Sequence, residues 1–384
     1  MNKTKTTMII WFLGAVMLSL SLFSIGIAQS SHTAGGKDVT KTNLLPPGPG
    51  NERNSEGDFI QLKDGRLLFI YSHFTDSLED NGNSYLASRV SSDGGKTWSR
   101  EDVVVLKNGK AINLMSVSLL RLKNGRIALF FLRKHSLSDC RPMMVTSEDE
   151  GKTWSEPMMC INDEVGYYVV NNDRVIQLKS GRLVIPAAVH VVTEMPTGLD
   201  ITPGKGMCYL SDDNGRTWRR SSVIEPSKES RGGIQEPLVI ELNDGRLMFL
   251  ARSDMGCQLR SWSTDGGATW SPIEKSGIIS PLSPATLERI PKTGDLLLVW
   301  NDHKNVDAAN RWRRSPLNVA ISKDEGKTWQ NEKTIEDNPD GWYCYTAVEF
   351  VGDRVLFAYC ATEPPLGHLQ QTRFAYFDLE WLYK

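Results

Sequence analysis

QEPLVIELNDGRLMFLARSDMGCQLRSWSTDGGATW, residues 235–270, is the stretch whose reading decides the fold. PLVIEL carries the branched apolar residues of a strand, NDG at 243–245 is a tight-turn signal, and RLMFLA returns as the second strand of a hairpin. QLRSWS predicts a third strand that runs into STDGGATW, where Ser263, Asp265, Gly267, Thr269 and Trp270 occupy the fixed places of SxDxGxTW. In such an octet Asp accepts hydrogen bonds from its own turn, Gly takes the positive φ the turn needs, and Trp supplies apolar area between strands. The octet is a structural device and carries no chemistry of its own.

The same unit recurs along the chain. SxDxGxTW occurs five times, at 91–98, 147–154, 211–218, 263–270 and 322–329, with its Trp residues 56, 64, 52 and 59 positions apart. That spacing suits a four-stranded sheet with loops rather than a helical repeat. Between the octets lies a repeated hairpin turn: LKDGRLLF from Leu62, LKNGRIAL from Leu122, LKSGRLVI from Leu178, LNDGRLMF from Leu242, PKTGDLLL from Pro291 and FVGDRVLF from Phe350. Six hairpins and five octets predict an all-β fold, a six-bladed β-propeller with four-stranded antiparallel blades over residues 51–384. The C-terminal TRFAYFDLEWL is strand-like and is expected to complete the last sheet beside the first, leaving no free edge.

Ahead of the repeats, residues 1–28 have the layout of a signal peptide: Lys3 and Lys5, an apolar core, then small residues at Gly26 and Ala28. Export, to the periplasm or the medium, is the expectation, with no stable membrane insertion after cleavage. The alternative is an uncleaved anchor, since the apolar run is about 20 residues long. Residues 29–50, polar and rich in Gly and Pro, are expected to be a linker. A net charge of −2 gives no signal for nucleic acid. The six Cys show no CxxC spacing, and HExxH, P-loop and dinucleotide patterns are absent, so neither a metal nor a cofactor is expected.

In such a ring the first strand of every blade lines the axis, so residues at the start of those strands converge. Aligning the hairpin turns puts Glu56, Ser116, Asn172, Pro284 and Cys344 level with Glu236, and Asp173, Ala285 and Tyr345 one place later. Acidic, amide and phenolic groups therefore crowd one ring.

Repeated SxDxGxTW octets on a six-bladed propeller resemble the sialidase family, also called the BNR or Asp-box family, from about Asn51 onward. The resemblance implies a metal-independent exo-glycosidase acting with retention on a glycan with a terminal α-ketosidic acidic sugar. It implies a Tyr nucleophile activated by Glu, an Asp acid/base, and Arg side chains whose guanidinium forks clamp the sugar carboxylate. QEPLVIELNDGRLMFLAR matches the segment with the activating Glu and an Arg, giving Glu236 and Arg252. RRSPLNVAISKDEGKTW gives Arg314, and WYCYTAVEFVGDRVLFAY gives Tyr345 as nucleophile, with Tyr343 as the other choice.

The first blade departs from the family pattern. Ser55 stands where an Arg is expected, with Arg53 two places earlier as the substitute clamp, and the acid/base falls to Asp80 or Asp76 in the loop after Ser72. Asn172, Asp173 and Arg174 at the axis are further candidates for substrate binding, and the insertion from His190 to Lys205 is expected over the axial face. The competing reading is a propeller that binds glycans without catalysis. A carboxylate opposite Tyr345 would separate the two, whereas Ser72 and His73 alone there would favour binding.

Overall fold

The computed structural model describes residues 38–195 and 198–384. The segment expected to direct export, 1–28, lies outside the described residues, as does the linker up to residue 37. Residues 29–50 are not linker throughout, because β1 (Thr40–Leu45) is a strand. Its polar TKTN start conceals two leucines, Leu44 and Leu45, that enter the core beside Phe59 and Phe374.

The following strands come in groups. β2 (Arg53–Gln61), β3 (Leu67–Phe74), β4 (Ser84–Ser91) and β5 (Val103–Leu106) form the first antiparallel sheet, in sequence order. β6 (Asn113–Arg121), β7 (Ile127–Lys134), β8 (Cys140–Ser147) and β9 (Met158–Met159) form the second group. The third starts with two short pieces, β10 (Tyr167–Val169) and β11 (Ile176–Gln177), which both pair with β12 (Leu183–His190). β13 (Val192–Met195) and β14 (Gly198–Ile201) make a separate hairpin before β15 (Lys205–Ser211) and β16 (Arg219–Arg220) complete the group. The second and third groups merge into one nine-stranded sheet because Tyr167 pairs in parallel with Cys140.

Two four-stranded antiparallel sheets follow. One holds β17 (Gln235–Glu241), β18 (Leu247–Arg252), β19 (Cys257–Ser263) and β20 (Glu274–Ile279). The other holds β21 (Thr286–Arg289), β22 (Leu296–Trp300), β23 (Leu317–Ser322) and β24 (Gln330–Glu336). β25 (Trp342–Val351), β26 (Arg354–Thr362) and β27 (Thr372–Asp378) take β1 as their fourth strand. Thr40 lies opposite Tyr376 and Asn43 opposite Arg373, so both ends of the described chain share one sheet. The LEWL end of the expected last strand is instead a 3-10 turn, Leu379–Tyr383. No helix among the described residues is long and apolar enough to cross a membrane.

The octet has one conformation in all five copies. Its Ser Oγ donates to the Asp carboxylate at 2.8–2.9 Å and accepts the Gly N–H at 2.8–2.9 Å. Thr donates to the same carboxylate through both its N–H and its hydroxyl. Those bonds hold the carboxyls of Asp149 and Asp324 down at about 2.

Each octet glycine lies against a side chain of the preceding sheet: Gly95 on Leu356, Gly151 on Leu68, Gly215 on Met144, Gly267 on Leu210 and Gly326 on Met248. A Cβ on Gly95, at φ 86°, would overlap Leu356, so that position demands glycine for both space and backbone. The core divides accordingly into clusters between neighbouring sheets. Phe59, Phe69 and Trp98 meet Leu356 and Phe374, and Leu238 and Leu250 meet Leu287 and Leu298. Each fully buried large apolar side chain there contributes roughly 1.5–3 kcal/mol of transfer free energy. The result is a closed ring of sheets with their first strands inward, and that closure brings distant residues to one axis.

Candidate active site

Four of the inner strands break register near their start: β2 between Ser55 and Asp58, β6 between Met115 and Ser118, β17 between Gln235 and Leu238, and β25 between Cys344 and Ala347. A bulge of this kind adds a residue and re-aims its side chain. Here the re-aimed residues are Glu56 (φ 56°), Ser116 (60°), Glu236 (41°) and Tyr345 (59°), and Asp173 (56°) is their counterpart between β10 and β11. Left-handed backbone costs a non-glycine residue about 1–3 kcal/mol, so the fold imposes these conformations against local preference. Turn alignment sets Cys344 and Asn172 level with Glu236, whereas the bulges set Tyr345 and Asp173 there. The discrepancy at Tyr345 arises because residues 352–353 alone turn β25 into β26, while 62–66 do so between β2 and β3.

Tyr345 Oη donates to Glu236 Oε1 at 2.8 Å, joining strands from two different sheets. Arg252 Nη1 donates to Glu236 Oε2 at 2.7 Å. Arg314 packs between the rings of Trp342 and Tyr345, with its guanidinium carbon 5.0 Å and 5.2 Å from their centroids. Its Nε and Nη1 are buried without a hydrogen-bond acceptor among the described residues. Burial alone would raise the Glu236 carboxyl, but Arg252 and then Arg314 hold it below the ordinary carboxylate range. Burial, reinforced by the Glu236 charge, pushes the Tyr345 phenol well above its usual value. The pair therefore rests as a protonated phenol donating to an ionised carboxylate.

Arg53 is placed differently from the clamp expected of it. Its side chain is 1% exposed. Nε donates to Ser55 Oγ at 2.8 Å, Nη1 to Asp80 Oδ1 at 2.7 Å and to the Leu78 carbonyl at 3.1 Å, and Nη2 to Glu56 Oε1. Every guanidinium nitrogen is engaged inside the protein. Glu56 Oε2 accepts a further bond from Ser116 Oγ at 2.8 Å. Burial raises the Glu56 carboxyl against the pull of Arg53, and the charge of Asp80 adds to the rise. At Asp80 burial also acts upward, but the charge and hydrogen bond of Arg53, with Lys134 beyond, hold the carboxyl below its usual value.

Glu56, Asp80, Ser116, His190, Glu236 and Tyr345 face one cavity of about 130 Å³, with Tyr167 and Asn171 in its wall. It opens past Asp80, Tyr167 and His190 into a wider vestibule of about 380 Å³, where Val192 and Ile201 of the β13–β14 hairpin form part of the rim. The insertion thus overlies the axial face, as expected. Asp76 is elsewhere. Its exposed carboxylate accepts the Asn83 N–H at 2.7 Å, tying the loop to itself, and it is not part of the cavity wall. Of the two candidates for acid/base, Asp76 and Asp80, Asp80 is the one that shares the cavity with Tyr345.

The BNR repeat-like domain matches residues 79–357. The chain belongs to the BNR-repeat sialidase family. The sialidase of Micromonospora viridifaciens is 26% identical over 351 residues, 83% of this chain and 50% of its own length. The sialidase of Bacteroides fragilis is 24% identical over 329 residues, 76% of this chain and 57% of its own. The chain therefore spans about half the length of these relatives. NanB sialidase from Streptococcus pneumoniae has the same fold, with a TM-score of 0.68 at 15% identity over 88% of this chain and 70% of that one.

In this BNR-repeat chain, Asn172, Asp173 and Arg174 lie on the axis but do not line the cavity, contrary to their expected part in substrate binding. Asn172 Nδ2 donates to the carbonyls of Gly57 at 2.9 Å and Tyr345 at 3.1 Å, and Arg174 Nη2 to that of Ala285 at 2.9 Å. Asp173 Oδ2 accepts the Val348 N–H at 3.0 Å. They knit four sheets together beneath the site, because the interruption between β10 and β11 turns these polar side chains across the axis. Asn171, one place earlier, is the member of that run that reaches the cavity.

Burial pushes the Asp173 carboxyl up to about 7, and does the same for Glu349. An acid whose folded value lies above its unfolded one keeps its proton longer when folded. Asp173 therefore contributes stability that is complete below about pH 3.8 and is lost as pH rises through about 7. Asp173→Asn keeps an acceptor for Val348 N–H and removes the charge. We expect it to stabilise the protein by about 1–2 kcal/mol at pH 8 and by nothing at pH 4. Urea unfolding at the two pH values measures this, and an equal effect at both would refute it.

Other polar side chains have structural places in this family member. His303 is buried with Nε2 3.2 Å from the Ser315 carbonyl, away from the cavity. Ser72 and His73 are buried in β3, and His73 Nδ1 lies 3.2 Å from Asp102. All six Cys are unpaired and buried. Among the described residues no group of three or more His, Cys, Asp or Glu is arranged to hold a metal. Sequence reasoning passed over Tyr167 and Gln235, which line the cavity. The signal available for them was only their nearness to the broken third inner strand and the bulge of β17.

Proposed function

We propose that this chain is a retaining exo-glycoside hydrolase of the sialidase type with Tyr345 as nucleophile. The observation that carries this reading is the 2.8 Å hydrogen bond from Tyr345 Oη to Glu236 in a cavity that also holds Asp80. In the first step Tyr345 Oη attacks the anomeric carbon and passes its proton to Glu236. The glycosidic C–O bond breaks, and Asp80 delivers a proton to the departing oxygen. In the second, water attacks the same carbon and gives a proton to Asp80, while Tyr345 leaves and recovers its proton from Glu236. Arg252 and Arg314 keep Glu236 ionised, and their remaining donors suit a carboxylate on the sugar, the acidic glycone that the relatives' names suggest. A propeller that only bound glycans would need no carboxylate beside Tyr345, and the presence of Asp80 in the same cavity supports the catalytic reading. We further read the ring as six blades, the nine-stranded sheet counting as two, with the octets as five Asp boxes. Export through residues 1–28 completes the proposal.

Asp80 must be protonated to act, and Arg53 holds it ionised down to low pH. Hydrolysis of a glycoside with a poor leaving group is therefore expected to be fastest in acid and to fall as pH rises. Asp80→Asn should lower that rate roughly 10²–10⁴-fold and spare activated aryl glycosides, which need little proton donation. Asp76→Asn should stay within about twofold of wild type on both. Equal losses from the two variants would remove Asp80 from the mechanism.

A further inference from the structure

Two buried thiols flank the start of the strand that carries Tyr345. Cys344 is the residue before it on β25, and Cys360 lies directly opposite Cys344 on β26. Among the described residues, no other two cysteines are partners in a strand pairing. Tyr343 N–H donates to the Arg314 carbonyl at 3.0 Å and Ala361 N–H to the Gln371 carbonyl at 3.0 Å, so the neighbouring pair Tyr343 and Ala361 turns its N–H groups away from this ladder. Alternation along an antiparallel ladder then makes Cys344 and Cys360 a hydrogen-bonded pair, with Cα atoms about 5.5 Å apart and side chains on the same face. Disulfides span Cα separations of about 4.4–6.8 Å, and this pair falls in the middle of that range.

The surroundings set the two thiols apart. Burial acts to raise the Cys344 thiol, but the Cys360 thiol and the Arg314 guanidinium bring it below the ordinary thiol value. Burial pushes the Cys360 thiol up. Cys344 is therefore the member of the pair with thiolate character, and the thiolate is the form that attacks a disulfide. Both side chains are 1% exposed in the folded protein, so a bond between them forms as β25 and β26 come together and before the ring buries them. Neither thiol takes part in the hydrolysis proposed above.

We propose that Cys344 and Cys360 are an oxidation site, joined by a disulfide when the chain folds in oxidising surroundings. Cys344, as thiolate, attacks one sulfur of a small-molecule disulfide; the S–S bond of that molecule breaks, and one half leaves as a thiolate that takes up the proton Cys344 gave. Cys360 then loses its proton and attacks the Cys344 sulfur of the mixed disulfide, releasing the second half as a thiol. Two cysteine thiols are oxidised to one disulfide, and one external disulfide is reduced to two thiols. The bridge pins β25 one residue ahead of Tyr345, at the register break that presents it to the cavity, and removes an acidic proton from beside Arg314. The inference rests on strand register and stands whether or not the cavity hydrolyses glycosides.

The test uses the full chain, unfolded and reduced, then refolded in a buffer of oxidised and reduced glutathione poised as in an oxidising compartment. Near-ultraviolet circular dichroism matching that of the protein before unfolding identifies the folded fraction, which is denatured, alkylated and digested with trypsin. Peptides 334–354 and 355–373 carry one cysteine each, and they are expected joined and lighter by two hydrogens, with Cys140, Cys160, Cys208 and Cys257 alkylated. The linked protein should melt roughly 3–6 °C above the same protein held in excess dithiothreitol, because the bridge closes a loop of the unfolded chain. Cys344→Ala and Cys360→Ala should each abolish that difference. Alkylation of both Cys344 and Cys360 in wild type, a bridge from either to another cysteine, or a linked protein that melts no higher than the reduced one overturns the inference. The linkage is read on wild type, so it does not depend on how either variant folds.

Discussion

Tyr345→Phe should reduce turnover by roughly 10³-fold or more while leaving the fold in place, because the change deletes the attacking oxygen and nothing else. The ring that packs against Arg314 remains, so affinity for the glycone should change little. What is lost structurally is one hydrogen bond to Glu236, at a cost of about 1 kcal/mol. Glu236→Gln should be nearly as damaging on its own, since an amide cannot take the phenolic proton. Adding it to Tyr345→Phe should then cost almost nothing more, because residues that act as a unit are not additive. Steady-state kinetics on the activated glycoside that wild type hydrolyses best measures all three. More than a tenth of wild-type turnover in Tyr345→Phe would end the case for a Tyr nucleophile.

Arg53→Met should be the most destabilising single change at the site, by about 3–5 kcal/mol at neutral pH, because it strands carboxylates that the guanidinium holds from both sides. Glu56 is buried and would be left with Ser116 alone. The deficit should shrink in acid. Once its partner is gone, Glu56 takes up a proton more readily in the folded variant than in the unfolded chain, so stability is regained as pH falls. Asp80 loses the charge that depresses its carboxyl, and the decline of activity on the alkaline side should move to higher pH. Thermal melts between pH 4.5 and 8, with a pH–rate profile on the same protein, read both effects. A melting temperature within a degree or two of wild type at pH 7 would show that the Arg53 cluster contributes no net stability.

The ring of sheets was legible because its signal is periodic and local: SxDxGxTW at five places and a Gly-containing turn at six. Glu236, Arg252, Arg314 and Tyr345 were legible through the segments that carry them, and their meeting depends on ring closure, which the repeats imply. Arg53 was found as a residue and misread as a role, since whether a guanidinium is free depends on Glu56 and Asp80, one of them in a loop 27 positions away. Asn172, Asp173 and Arg174 were placed on the axis correctly but at the wrong depth. A single bulge or strand break changes which neighbour faces up, and one residue of register reverses every side chain. The strand at Thr40–Leu45 escaped because its partner lies at the far end of the chain.

That partnership shapes how the molecule is made. Arg373 Nε donates to Asn43 Oδ1 at 2.7 Å across 330 positions. A ribosome adding roughly 5–20 residues each second delivers the second half of this contact about 15–70 s after the first. Earlier sheets can condense as they emerge, whereas Thr40–Leu45 waits as an unpaired strand with two leucines to shelter. Closure through this strand therefore requires the whole chain, and it is among the contacts of greatest sequence separation in the fold.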